Sequence, residues 1–387
     1  MARKRIPHVA LLIETSRSYT RGLLRGIRHY VSEHGPWSLF MEQRALESSP
    51  PPWLGNWQGD GILTRTWTQA TADAIRRTKV PTVELRATKL RHRFPFVGVD
   101  NGALGRMVAE HLAERGFRNF ACYDIDSEIF FERRRDNFVA TVEAMGFDCH
   151  VLHAPEGREK PRQWEAQQRR LVQWLIDLPK PVGIMACTDQ LGYWVLDACL
   201  RAGVAVPEQA AVVGAENDES LCMMSSPPLS SVQFNAERIG YEAAAMLDQM
   251  MRGESPPVSA IEIEPRGIVT RPSSDIVAID DPVVAEAVTY IRDHADAALS
   301  VEDVLDVIPI SRSALERRMR AALGRSPKAE ILRAQLNRVK QLLCDTDLSL
   351  AAIADRCGFN HPQYMSHIFK KKLGQTPGQY RSMTRPG

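Results

Sequence analysis

Over roughly the first 270 residues, short apolar runs alternate with longer amphipathic stretches. The runs lie at 9–13, 61–63, 81–85, 120–123, 183–187, 211–214, 229–232 and 261–263. Between the early runs, positions 19–32 place Leu23, Leu24, Ile27, Tyr30 and Val31 on one helical stripe. Positions 104–115 do the same with Leu104, Val108, His111 and Leu112. Uninterrupted apolar strands alternating with amphipathic helices predict βαβ units around parallel sheets buried on both faces. The region is long enough for two such sheets, and so for a two-lobed α/β body over residues 1–271. A late helix is expected at 236–251. A turn-rich polar stretch at 272–281 reads as a linker. From Pro282 to residue 387 the period is helical throughout. Helices are expected at 282–295, 300–308, 311–322, 327–344, 349–356 and 361–372, the first capped by Asp280 or Asp281 ahead of Pro282.

Charge sharpens this division. The net charge is +2, but from residue 311 onward there are 15 Lys and Arg against 5 Asp and Glu, and before it 34 against 42. A basic module on an acidic body predicts that one end meets a polyanion. Seven scattered cysteines (122, 149, 187, 199, 222, 344 and 357) form no C-x-x-C pair, which argues for a reducing cytoplasm and against a zinc site or disulfide framework. No eighteen-residue apolar run and no cleavable leader is seen, so neither a membrane span nor export is expected. No metal or cofactor is expected.

The helical region holds two similar blocks. In the first, a short apolar helix (300–308) leads through a turn to Ser311-Arg312-Ser313-Ala314-Leu315-Glu316-Arg317-Arg318-Met319. In the second, 349–356 leads through Gly358 to His361-Pro362-Gln363-Tyr364-Met365-Ser366-His367-Ile368-Phe369-Lys370. Each is the plan of a helix-turn-helix unit. Gly358 suits a turn needing positive φ; Ser311 and Ser349 suit helix N-caps. The helix 327–344 between them would span about 27 Å at 1.5 Å per residue. Successive major grooves lie about 34 Å apart on one DNA face, so one rigid helix can hold two recognition helices in neighbouring grooves.

Gly324-x-Ser326-Pro327, Leu342-Leu343, Ile353-Ala354-x-x-x-Gly358-Phe359, Phe369-Lys370-Lys371-x-x-Gly374-x-Thr376-Pro377 and Tyr380-Arg381 together resemble the AraC/XylS family over about 100 residues. Met319 stands where that family usually has Phe. The resemblance implies that Arg312, Ser313, Glu316 and Arg317 of the first unit face bases, as do His361, Gln363, Tyr364 and His367 of the second. The chemistry agrees: Arg reads guanine, Gln adenine, and Glu accepts from cytosine. Lys370, Lys371, Lys372 and Arg381 are expected on phosphate, which positions without specifying.

The body, through Tyr19-x-Arg21-Gly22-Leu23-x-x-Gly26-Ile27, Val99-Asp100-Asn101, Arg134-x-x-Asn137-Phe138, Thr188-Asp189, Val213-Gly214-x-x-Asn217 and Leu229-Ser230-Ser231-Val232, resembles the periplasmic-binding-protein-like sensors of the lactose- and galactose-repressor relatives. Those carry their DNA-binding head at the other end. A sensor body with a C-terminal AraC-type reader resembles the xylose-operon activator group. This implies a sugar-responsive regulator, a small sugar (a pentose) as effector, a double-stranded DNA operator, RNA polymerase as partner and a homodimer. By position the sugar-site candidates are Ser16, Trp67, Asp100, Arg134, Asp189, Glu216, Asn217, Phe234 and Asn235. Arg134 would donate to hydroxyls, Asp189 and Glu216 would accept, and Trp67 would offer a stacking face. Glu216 and Phe234 depart from the relatives' usual residues.

Weaker constellations remain: His150-x-x-His153 for metal, Arg133-Arg134-Arg135 for phosphate, and Gly102-x-x-Gly105 as a partial dinucleotide turn. Two other readings stand beside the sugar-responsive one. One is a repair enzyme carrying the same reader, which would need a reactive cysteine cluster or a metal-spaced set. The other is a constitutive DNA binder whose body only dimerises.

Overall fold

The apolar runs become parallel strands in the computed structural model, which describes residues 6–46, 48–125, 128–154, 163–257, 259–276, 281–295 and 298–384. In the first lobe, strands Ser38–Met41, His8–Leu12, Gly61–Thr64 and Thr82–Glu84 lie side by side in that order, all parallel. A bridge from Glu84 to Phe96 joins them to Val97–Val99, which pairs with Ile261–Ile263. In the second lobe the order is Gly267–Val269, Ser230–Gln233, Ala210–Ala215, Val182–Ala186, Asn119–Asp124 and Cys149–His153; only the first pair is antiparallel. Val182–Ala186 and Ala210–Ala215 are buried at every position, because helices cover both faces of a parallel sheet. The two lobes share one continuous core.

Glycines set two of the closest contacts. A Cβ on Gly26 would sit 1.9 Å from the Glu237 carbonyl oxygen, and one on Gly240 2.1 Å from that of Leu23. The helices Ser18–His34 and Ala236–Met251 therefore touch backbone to backbone. Gly105 does the same against the Arg134 carbonyl, so the Gly102-x-x-Gly105 string packs helix Asn101–Glu114 onto helix Ile129–Ala144.

The elements that escape the periodicity are short or two-sided. Ser38–Met41 is exposed at all four positions and so shows no alternation. Val97–Val99 and Gly267–Val269 have three residues each.

The C-terminal helices are Pro282–Asp293, Val301–Val307, Arg312–Leu323, Pro327–Asp345, Leu350–Arg356, Pro362–Leu373 and Pro377–Thr384. The first six match the expected spans to within two residues; the seventh is additional. Asp281 caps the first, accepting from the Val283 and Val284 amides. Ser311 and Ser349 cap as expected, accepting from Ala314 and Ala352, and Gly358 has φ 69°. These helices form two separate cores. One gathers Val284, Ile291, Val304, Leu315 and Met319; the other gathers Val339, Leu343, Ile353, Met365 and Phe369. Met319 fills the interior position where the family usually has Phe. Of the stretch expected as linker, Ser273 and Ser274 are fully buried against the second lobe, with Ser273 Oγ donating to the Val212 carbonyl. Residues 277–280 lie outside the described residues. No helix among the described residues is long and apolar enough to cross a membrane.

Candidate ligand cleft and nucleic-acid interface

Parallel strands gather loops at their carboxyl ends, where ligands bind in such sheets. There the two lobes face each other, and six side chains touch in succession, Arg65, Tyr19, Phe234, Arg134, Phe130 and Arg86, in a run of cations and aromatics across the cleft. The Arg65 guanidinium lies 5.4 Å from the Tyr19 ring centre, and Tyr19 meets Phe234 edge-on at 5.2 Å. Arg134 lies 5.1 Å from Phe234 and 4.9 Å from Phe130, and Arg86 lies 5.5 Å from Phe130. Arg65, Tyr19 and Arg86 come from the first lobe; Arg134, Phe130 and Phe234 border or belong to the second. Aromatic faces take the C–H side of a sugar and guanidinium groups donate to hydroxyls. Ion pairs bridge the rim: Arg17 with Glu216 at 3.2 Å, Arg86 with Glu128 at 3.4 Å, Lys89 with Glu132 at 2.5 Å, and Arg133 with Glu262.

The candidate residues separate into two groups. Arg134 and Phe234 join this run, and Glu216 its rim. Arg134 is 3% exposed and also donates to Asn101 Oδ1 at 2.8 Å and to the Cys187 carbonyl at 2.6 Å. Trp67 is half-buried beneath the Arg86 guanidinium at 4.2 Å, so one of its faces is already covered. The others are engaged in the fold. Asp189 is buried and accepts from Ser231 Oγ at 2.5 Å and from the Asp218 amide at 2.7 Å. Burial, reinforced by the nearby Glu216 charge, pushes its carboxyl up to about 8. Asp100 caps helix Asn101–Glu114 through the Ala103 amide. Asn217 Oδ1 accepts from Arg271, and Asn235 Oδ1 from Arg266. Ser16 is exposed, and its carbonyl accepts from Arg21. Sequence reading missed Tyr19, Arg65, Arg86 and Phe130. Each stands at or just beyond a strand end or a helix start, and that position was the available signal.

The weaker constellations resolve into structure. His153 Nδ1 contacts Asp124 Oδ1 at 2.5 Å, and Arg135 donates to the same carboxylate at 3.0 Å. Among the described residues no three His, Cys, Asp or Glu side chains group to hold a metal. With Arg133 on Glu262, Arg134 buried and Arg135 on Asp124, the three arginines do not converge on one anion site.

On the reader, the helix Arg312–Leu323 turns Leu315, Met319 and Leu323 inward. Arg312, Ser313 and Arg317 are exposed and Glu316 is half-buried. Arg312 is held by Glu302 and, at 3.8 Å, by Glu316. The helix Pro362–Leu373 turns Met365 and Phe369 inward. His361, Gln363, Tyr364 and His367 are exposed, as are Lys370, Lys371 and Lys372 in its last turn, where cations also suit the helix dipole. Arg381 is half-buried, and its Nη2 donates to the Leu348 carbonyl at 2.6 Å. The connecting helix Pro327–Asp345 has 19 residues, about 28 Å.

Body and reader touch directly. Glu114, at the end of helix Asn101–Glu114, pairs with Arg333 at 2.6 Å, and its carbonyl accepts from Arg325 at 3.2 Å. Both arginines bind the buried Glu330, whose carboxyl they hold below the usual range against the opposing effect of burial. Arg118 donates to the Ala322 carbonyl at 2.9 Å. His111 of the same helix and Arg115 just past its end hold Ser274, where the body ends toward the reader. The other end of that helix presents Asn101 to Arg134 in the cleft. One helix thus runs from the cleft to the reader.

Comparison with known proteins matches three stretches of the chain. Residues 8–101 match a family described as the XylR N-terminal domain, 109–274 a periplasmic binding protein-like domain, and 305–383 a helix-turn-helix domain. The xylose operon regulatory protein of Haemophilus influenzae is 31% identical, over 96% of this chain and 97% of its own length. That of Escherichia coli K12 is 31% identical over 97% of each. The solved structure of the xylose-binding transcription activator XylR matches with a TM-score of 0.64 at 30% identity, covering 98% of both chains. A cellobiose complex of the regulator CelR, at 21% identity, shares the fold over 71% of this chain with a TM-score of 0.56. A two-lobed sensor body, a paired reader and this likeness over nearly the whole length agree: the chain belongs to the family of the xylose operon regulatory proteins.

Proposed function

We propose that this protein is a cytoplasmic, homodimeric activator that binds operator DNA through its two helix-turn-helix units, recruits RNA polymerase, and responds to a pentose of the D-xylose type held between its lobes. The observation that carries the reading is the run of Arg65, Tyr19, Phe234, Arg134, Phe130 and Arg86, which draws side chains from both sides of the cleft. A sugar seated against these side chains favours one lobe arrangement, by as much as its affinity for the two arrangements differs. The helix Asn101–Glu114 then carries the change to Arg333 and the connecting helix. The relatives are named for regulation, which favours this reading over a repair enzyme. A constitutive DNA binder would have no use for a polar cleft lined from both lobes.

The test is a thermal-shift screen of D-xylose, L-arabinose and D-ribose, with operator affinity measured at each. The expected result is a raised melting temperature and a changed affinity with at least one pentose. No response in either measurement, with all three sugars, refutes the sensing half. A monomeric mass both free and on DNA refutes the homodimer.

A further inference from the structure

Three carboxylates at the cleft have no assigned part in sugar binding. Glu14 follows strand His8–Leu12, Glu84 ends strand Thr82–Glu84, and Glu128 immediately precedes helix Ile129–Ala144. Glu14 and Glu84 are each 1% exposed. In each of the three, one oxygen is engaged. Glu14 Oε1 accepts from Arg65, Glu84 Oε1 from the Thr66 and Arg86 amides at 3.0 and 3.1 Å, and Glu128 Oε1 pairs with Arg86. In each, the second oxygen is buried and accepts no hydrogen bond among the described residues; Glu84 Oε2 lies 3.6 Å from His92 Nε2, beyond hydrogen-bond reach. A carboxylate oxygen taken from water without a donor is costly, and folded chains leave few such atoms. Three at one site point to hydrogen-bonding partners supplied from outside.

The charges around them narrow what those partners belong to. Arg65 acts on both Glu14 and Glu84, and Arg86 on both Glu84 and Glu128. Acid and base therefore alternate along the wall. Burial pushes the Glu84 carboxyl up to about 7, which brings the wall nearer to neutrality. A near-neutral wall of carboxyl groups, accepting and, where Glu84 holds its proton, donating, suits neutral hydroxyl groups, which do both. It offers no net charge to a sugar acid and little to an amino sugar.

We propose that Glu14, Glu84 and Glu128 form a hydroxyl-binding wall that decides which neutral sugar the sensor accepts. The proposal rests on the sugar-sensor reading above. Its test uses the full chain and whichever pentose gives the thermal shift, together with the monodeoxy analogues of that pentose. Dissociation constants are measured for the wild type, Glu84→Gln and Glu128→Gln. In the wild type, removing the hydroxyl that meets a given carboxylate weakens binding about tenfold or more. In the matching variant the parent sugar is weakened by a similar factor, and the same deletion then costs little. A purely structural carboxylate would weaken all sugars alike and leave every deoxy penalty unchanged. That result in both variants overturns the wall while the sensor reading stands. Should the wild type bind no neutral sugar, both fall together. Glu128, on the rim and less buried than Glu84, keeps the test open if Glu84→Gln fails to fold.

Discussion

In the cleft, Arg65, Arg86 and Arg134 lie against carboxylates, carbonyls and aromatic faces, nearly out of water; on the reader, Arg317 and Lys370 to Lys372 project into it. The first set is removed from solvent, which costs desolvation unless each charge keeps close partners. It therefore fixes shape. The second set keeps its hydration, contributes little to the fold and remains available to phosphate and base edges. The two reader units repeat the contrast on a smaller scale. Arg312 of the first unit is held by Glu302 and Glu316, whereas the second unit ends in three exposed lysines. The same residue types thus build a geometry where they are buried and a salt-sensitive grip where they are exposed.

The contrast can be broken most directly at the reader's own core. Phe369 is fully buried in the small second cluster, so Phe369→Ala is expected to cost about 3–5 kcal/mol. Because that core is separate from the body's, sugar-dependent melting of the body should survive while DNA binding is lost. Loss of both would mean the units are not separable. A smaller effect is expected at Arg317→Ala, at about 1–3 kcal/mol confined to one base position. Equal weakening on every sequence, in competition assays, would move Arg317 to the phosphate group.

The buried set predicts a pH dependence. Folded Asp189 titrates near 8 and unfolded aspartate near 3.8, so the folded state holds the extra proton between those values. Stability from this group is full below about pH 4 and declines as pH rises through 8, by at most about 1.4 kcal/mol per pH unit. Urea midpoints between pH 4 and 9 should slope less in Asp189→Asn than in the wild type; parallel slopes would show that Asp189 is ionised in the fold. The smallest effect belongs to the exposed set. Lys371→Ala should weaken binding to all sequences alike and lower the slope of log affinity against log salt by about one. An unchanged slope would remove Lys371 from the phosphate contacts.

How much of this was legible follows from what each feature depends on. The helices of the reader were readable to within two residues because their caps, their glycine turn and their apolar stripe are all local. The parallel strands of the body were readable because burial on both faces leaves continuous apolar runs. The cleft was only partly readable. Arg134, Glu216 and Phe234 could be nominated by position. By contrast Asp189, Asn217 and Asn235 hold loops together through partners 14 to 54 residues away, and Arg381 spends a donor on Leu348.

The sequence by itself determined the order of the parts: an acidic α/β body, then a basic paired reader on one connecting helix. Period, capping and charge sum are properties of short segments, so they need no fold to be read. Only the tertiary structure decided which charges are buried, which carboxylate oxygens lack donors, and that one helix joins Arg134 to Arg333. Those are contacts between residues far apart in the chain, and no local pattern encodes which distant side chain will satisfy which polar atom.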